Sequence, residues 1–266
     1  MRRRLLTPFL VLAAALALAI GIGSVPASAA SGANYVALGD SYSSGVGAGS
    51  YTAESGSCDR SLSAYPALWA SANSVASFTF AACSGATTAD VANSQLGALN
   101  SATTLVTITI GGNDENFSQI MEDCNLYSDS TCVNEIQAAE DDARANLPGK
   151  LASLYGQISS RAPYAHVVVL DYPQFYDLAN DCVGLSQTKR TKIDEGINVL
   201  DGILQNSASA AGYSFADVRG AFTGHEICDS NRWLHSVNFS DFSESYHPTA
   251  DGHSQAYLPV FSSSAG

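Results

Sequence analysis

Ser41 stands in the turn Gly39-Asp40-Ser41-Tyr42-Ser43-Ser44-Gly45, directly after the apolar run Tyr35–Leu38. A serine on such a turn can expose its hydroxyl at the edge of a sheet. If a helix starts there, its unpaired backbone N–H groups point at developing negative charge. Ser and Asp are also good helix caps, and for Ser41 taken alone the cap is the better reading. Asp40 reads as structural, holding the turn. A nucleophilic serine needs a base, usually histidine. Of five histidines, His166 opens an apolar run, and His225 and His235 lie in a polar, cysteine-bearing stretch. His247 precedes Pro248, which biases it towards extended backbone and suits the start of a helix. His253 is the rival base, but it cannot face Asp251 two residues away on one helix. The orienting acceptor is either Glu244 or the main-chain carbonyl of Ser245, and the sequence leaves both open. Donors for an oxyanion are the N–H of Ser41, the N–H of Gly85 and the side-chain amide of Asn113. The pair Asn113-Asp114 also reads as an Asx-type turn.

These residues need elements to carry them to one place. Short apolar runs rich in β-branched residues predict strands over Tyr35–Leu38, Val75–Phe80, Thr104–Ile110, Ala165–Leu170 and Tyr213–Val218. Helical character falls between them, over Ala64–Ala72, Thr88–Leu99, Asn134–Arg161 and Thr188–Ala211. A last helix is expected over residues 249–258, and Ser262–Gly266 reads as a frayed tail. Pro148 is expected to interrupt the long third segment or to mark a second start. Strands alternating with helices imply a mostly parallel sheet covered on both faces. In such sheets ligands bind at the carboxyl ends of the strands. Ser41, Gly85 and Asn113 each follow an apolar run, as that rule demands.

Gly39-Asp40-Ser41, Gly85, Gly111-Gly112-Asn113-Asp114 and Glu244-x-x-His247-Pro248 together resemble the four ordered blocks of the SGNH (GDSL-type) hydrolases. The blocks run through almost the whole chain after its first thirty residues. The resemblance implies a flavodoxin-like three-layer α/β sandwich. It implies Ser41 as nucleophile, Ser41, Gly85 and Asn113 as the oxyanion hole, and His247 as base, with no cofactor and no metal. The extended block at Ser41 and the six cysteines are similar to secreted actinobacterial lipases and phospholipase A1 enzymes of that family. In some of these a backbone carbonyl two residues before the histidine orients it, here Ser245. The family usually has Asp three residues before the histidine; this chain has Glu244, which favours a Ser–His pair supported by the Ser245 carbonyl. The implied reaction is cleavage of lipid carboxyl esters, with Tyr42, Phe117, Leu126 and Tyr127 as candidate walls of an acyl groove. A carbohydrate deacetylase, a short-chain esterase, or a secreted binding domain without activity are the alternatives.

Composition sets the remaining bounds. Arg2–Arg4, the apolar run Leu5–Ile22 and the small residues ending at Ala30 read as a secretory signal peptide over residues 1–30. An uncleaved anchor is the rival, since the run approaches a bilayer's thickness. Residues 31–266 are expected to form a single domain. They hold nine Lys and Arg against twenty-five Asp and Glu, a net charge of −16. That balance argues against nucleic-acid partners and against tight docking on anionic membranes. No later stretch is apolar enough to insert in a bilayer, so a diffusible extracellular monomer acting on an ester substrate is expected. Six cysteines in an exported chain read as disulfides. Pairing sequence neighbours gives Cys58–Cys83, Cys124–Cys132 and Cys182–Cys228. No C-x2–4-C pair suggests zinc.

Overall fold

The structure is a computed structural model that describes residues 32–266 except Asp181, Phe239 and Ser240. The expected signal peptide, residues 1–30, lies outside the described residues. Five strands, β1 (Asn34–Gly39), β2 (Ser77–Phe80), β3 (Leu105–Thr109), β4 (His166–Leu170) and β5 (Ser214–Ala216), form one sheet. Their order is β2-β1-β3-β4-β5 and every pairing is parallel. β3 is buried along its whole length, so its threonines, Thr107 and Thr109, are as enclosed as Leu105, Val106 and Ile108. The connections carry α1 (Ser41–Ser44), α2 (Tyr65–Ala72), α3 (Thr88–Asp90), α4 (Phe117–Leu126), α5 (Asp129–Arg161), α6 (Gln187–Ala211) and α7 (Leu258–Ser264). Helices cover both faces of the sheet. α5 lies against α6, and α2 against α7.

The chain reverses its strand order between β1 and β3. In an open parallel sheet that switch point opens a crevice at the carboxyl ends of the two strands. Ser41 follows β1 and Asn113 follows β3, so both fall at its mouth. The end of β1 is fixed tightly. The Asp40 N–H donates to the Thr109 carbonyl, and the Gln95 side chain bonds both the N–H and the carbonyl of Gly39, each at 2.8 Å. Gly39 has φ 124°, and a Cβ there would strike the Thr109 carbonyl. Only glycine suits that position.

Three expectations are corrected. Pro148 does not interrupt α5, which runs unbroken for 33 residues. The proline is exposed, while the neighbouring Leu147 and Leu151 are fully buried. Packing of that apolar stripe against α6 outweighs the lost hydrogen bond. The tail does not fray at Ser262. α7 extends to Ser264 because Phe261, fully buried, packs against Tyr35, Tyr65 and Trp69. α4 also stands where no helix was expected. The structure joins Cys58 to Cys83, Cys124 to Cys132, and Cys182 to Cys228. The second bridge clamps α4 to α5. Among the described residues no helix is long and apolar enough to cross a membrane.

Candidate active site

Asp40, not Ser41, caps α1. Its carboxylate accepts the Tyr42 N–H at 3.0 Å, which relieves Ser41 of the capping role. The Ser41 hydroxyl instead meets the imidazole of His247, with Oγ to Nε2 at 2.7 Å across 206 residues of sequence. The other ring nitrogen, Nδ1, lies 3.0 Å from the Ser245 carbonyl oxygen. That carbonyl can only accept, so Nδ1 carries the proton and Nε2 faces Ser41 as a proton acceptor. The loop holding the ring is itself pinned. The Tyr42 hydroxyl donates to the Tyr246 carbonyl at 2.7 Å, and the His235 N–H donates to the His247 carbonyl. Tyr246 has φ 67°, a left-handed turn that delivers the imidazole back towards α1. Burial pushes the His247 imidazole down to about 4, against the Ser245 hydrogen bond that holds it up, with a further push down from nearby His235. The ring is therefore neutral at neutral pH and able to accept a proton.

Glu244 is placed elsewhere. Its carboxylate accepts the Tyr51 hydroxyl at 2.8 Å, and towards His247 it offers only its backbone carbonyl, which accepts the His247 N–H. His253, the rival base, is fully buried beside Tyr65 and Tyr257. His166 bonds the Ser264 carbonyl, and His225 stacks on Trp233.

Asn113 lines the same cleft as Ser41 and His247. One of its amide N–H groups donates to the Ala86 carbonyl at 3.1 Å, which orients the side chain and leaves the second N–H for a ligand. Gly85 precedes Ala86 on a turn with φ 75°. That turn is tied to β1 by the Cys83 N–H, which donates to the Gly39 carbonyl. Gly85 borders a neighbouring hollow with Arg60 and Ser84. Asp114 accepts from the backbone and hydroxyl of Thr88 and lies 3.5 Å from Lys150, so it anchors the Asn113 turn to α3 and α5.

The cleft is narrow and partly open to solvent. Gly112, Phe117, Ile197 and Leu200 form part of its wall and also border an adjoining apolar cavity of about 70 Å3 between α4, α5 and α6. Met121, Ile136 and Ile193 extend the apolar lining there. Of the four residues expected to wall a groove, Tyr42 and Phe117 line the cleft. Leu126 and Tyr127 are exposed at the end of α4 and are not among the lining residues. Sequence reasoning missed Ile197 and Leu200, whose spacing marked only a buried stripe, and Tyr172 and Phe175, which follow β4 without a glycine to mark a turn.

The sequence profile of the GDSL-like Lipase/Acylhydrolase family matches residues 37–255. The chain belongs to the GDSL-like lipase/acylhydrolase family. It is 53% identical to a protein named Lipase 1 of Streptomyces coelicolor over 268 residues, covering 100% of both chains. Among solved structures, phospholipase A1 from Streptomyces albidoflavus NA297 superposes with TM-score 0.86 at 53% identity, over 89% of this chain and 100% of that one. An extracellular lipase from Streptomyces rimosus follows at TM-score 0.85 and 50% identity, over 86% and 98% of the two chains. The family's three-layer fold is the one built above from the strand order.

Proposed function

We propose that this GDSL-family chain is an exported serine hydrolase that cleaves the carboxyl esters of lipids, with Ser41 as nucleophile and His247 as base. The observation that carries the reading is the 2.7 Å approach of Ser41 Oγ to His247 Nε2 in a cleft that continues into an apolar cavity. The lipase and phospholipase A1 identities of its relatives agree with it. Ser41 Oγ attacks the ester carbonyl carbon while its proton passes to Nε2. The Ser245 carbonyl stabilises the imidazolium through Nδ1–H. The tetrahedral oxyanion is held by the N–H groups of Ser41 and Gly85 and by the Asn113 amide. Collapse breaks the bond to the alcohol, which takes the proton from Nε2–H. Water, deprotonated by the same nitrogen, then releases the fatty acid and restores Ser41. No step calls for a metal or cofactor. The disulfides and the extracellular relative support export after removal of residues 1–30.

The apolar cavity makes a prediction about substrate. Each buried methylene is worth about 0.8 kcal/mol. On p-nitrophenyl esters, kcat/KM should rise at least ~10-fold from acetyl to octanoyl. Long-chain phosphatidylcholine and triacylglycerol should be hydrolysed, and acetylated xylan should not. Faster release of acetyl than of octanoyl groups would reject the lipid reading in favour of a deacetylase.

Glu244→Ala tests the support of the base. With its carboxylate committed to Tyr51, its loss should leave kcat within about threefold of wild type. Neutralising a true triad acid costs about 10⁴ in kcat, the loss seen when the buried aspartate of a serine protease triad becomes asparagine. A loss of that size would make Glu244, not the Ser245 carbonyl, the group that orients His247.

A further inference from the structure

The turn bearing Asn113 leaves β3 at Thr109 and has to be held for three more residues before its amide can serve the cleft. From one side it is held by Asn113 to Ala86 and by Asp114 to Thr88. From the other side a residue outside the four sequence blocks reaches it. Tyr172 follows β4 by two positions and lines the cleft, 5% exposed. Its hydroxyl accepts the Gly112 N–H at 3.1 Å and donates to Asp40 Oδ2 at 2.5 Å. The partners lie 60 and 132 residues away in sequence. Asp40 precedes Ser41, and Gly112 precedes Asn113. One oxygen atom thus connects the residue before the nucleophile to the residue before the amide donor.

The Tyr172 ring is fixed independently. It meets Tyr42 edge to face at 4.9 Å, and its backbone N–H donates to Asp201 Oδ1 on α6 at 3.2 Å. A Cβ at position 112 would lie 3.3 Å from the Tyr172 hydroxyl oxygen, so the glycine lets the backbone come this close. Asp40 is 1% exposed, and its other oxygen is used in capping α1. A phenol donating to a buried carboxylate makes a short, directional, charge-assisted bond. Such a bond sets the separation between two loops more sharply than apolar packing does.

We propose that Tyr172 is a positioning residue whose hydroxyl ties Asp40 to the Gly112 amide and so fixes the Asn113 side chain relative to Ser41. The proposal rests on the Ser41–His247 reading above. A misplacement of about 1 Å can cost 10²-fold in rate. Tyr172→Phe removes one atom and keeps the ring.

The test measures kcat and KM on an octanoyl ester for wild type, Tyr172→Phe, Asn113→Ala and the double variant. Tyr172→Phe should lower kcat ~10- to 100-fold with KM within about twofold, because the tie serves the transition state and not ground-state binding. In the Asn113→Ala background the same change should cost less than ~3-fold, since the group it positions is gone. Multiplicative losses in the double variant, or a raised KM with kcat preserved, would overturn the proposal and leave Tyr172 a packing residue. If Tyr172→Phe does not fold at 25 °C, Asp40→Asn weakens the same tie from its other end and should show the same split between kcat and KM. Labelling by a fluorophosphonate separates the nucleophile from the positioning role. Wild type unlabelled at Ser41 sinks the nucleophile assignment. Wild type labelled at Ser41, with Tyr172→Phe turning over like wild type, sinks only the positioning role.

Discussion

Ser41→Ala should abolish ester hydrolysis while leaving the fold intact. Removing the nucleophile of a serine hydrolase costs about 10⁶ in kcat, because attack, proton transfer and acyl transfer fail together. The fold should survive because the hydroxyl's bond in the structure is to His247, while the capping of α1 belongs to Asp40. The Ser41 carbonyl, which accepts from Gly45 and Val46, is untouched by the change. Alanine is also a good residue for a helix's first turn. Two measurements check this on one sample: release of p-nitrophenol from an octanoyl ester, and thermal unfolding. The expected pair is no detectable turnover and a Tm within about 2 °C of wild type. His247→Ala should lose nearly as much, and the double variant little more than either, because the two act as one unit. Residual turnover above about one-hundredth of wild type would remove Ser41 from the role of nucleophile.

How far the sequence already spoke for this arrangement depends on the range of each constraint. β3 was legible because Leu105–Thr109 is a short run of apolar and β-branched residues, the kind that a pleated, buried strand accepts. The site's location was legible for a separate reason. Parallel strands gather their following turns on one rim, so Ser41 and Asn113 are brought together by chain direction. The proline in α5 misled because its local cost is real, yet it is set against burial of the neighbouring Leu147 and Leu151. α4 was overlooked although Phe117, Ile120, Met121 and Cys124 fall at helical spacing. Its start at Asn116 is left-handed and has no side-chain cap, so the usual signal for a helix start is missing. Pairing of the base with an acceptor could not be read from the residues alone, and only the family resemblance leaned towards the Ser245 carbonyl. Glu244 and Ser245 are adjacent, and the choice follows from the path of the Tyr246 turn and from Tyr51, which lies 193 residues from Glu244. Tyr172 is the extreme case. Its partners are distant, and nothing in Asp171-Tyr172-Pro173 marks it.

Asn113→Ala should lower kcat by about 10²–10³, or 2.7–4 kcal/mol, with KM nearly unchanged. The size comes from what the amide faces at two stages of the reaction. In the free enzyme one N–H is spent on the Ala86 carbonyl and the other is left for the cleft. A ground-state ester oxygen is weakly basic and gains little from that donor. The tetrahedral oxyanion carries a full charge in a site walled by Phe117, Phe175, Ile197 and Leu200. There a fixed dipole is worth far more than in water, and no solvent needs to reorganise. The alternative is that Asn113 serves only to hold the Ala86 turn. That role predicts a different signature, since alanine would leave the Ala86 carbonyl without its donor. Tm would then fall and substrate binding would loosen as Gly85 shifted, with kcat changing less than about threefold. The remaining donors, the backbone N–H groups of Ser41 and Gly85, cannot be deleted by changing a side chain. Asn113 is thus the one place in the proposed oxyanion hole where a single substitution isolates charge stabilisation from nucleophilic attack. Steady-state kinetics and thermal unfolding of this variant decide between the two roles. A loss confined to kcat supports electrostatic stabilisation of the transition state, and a twofold loss accompanied by a lower Tm rejects it.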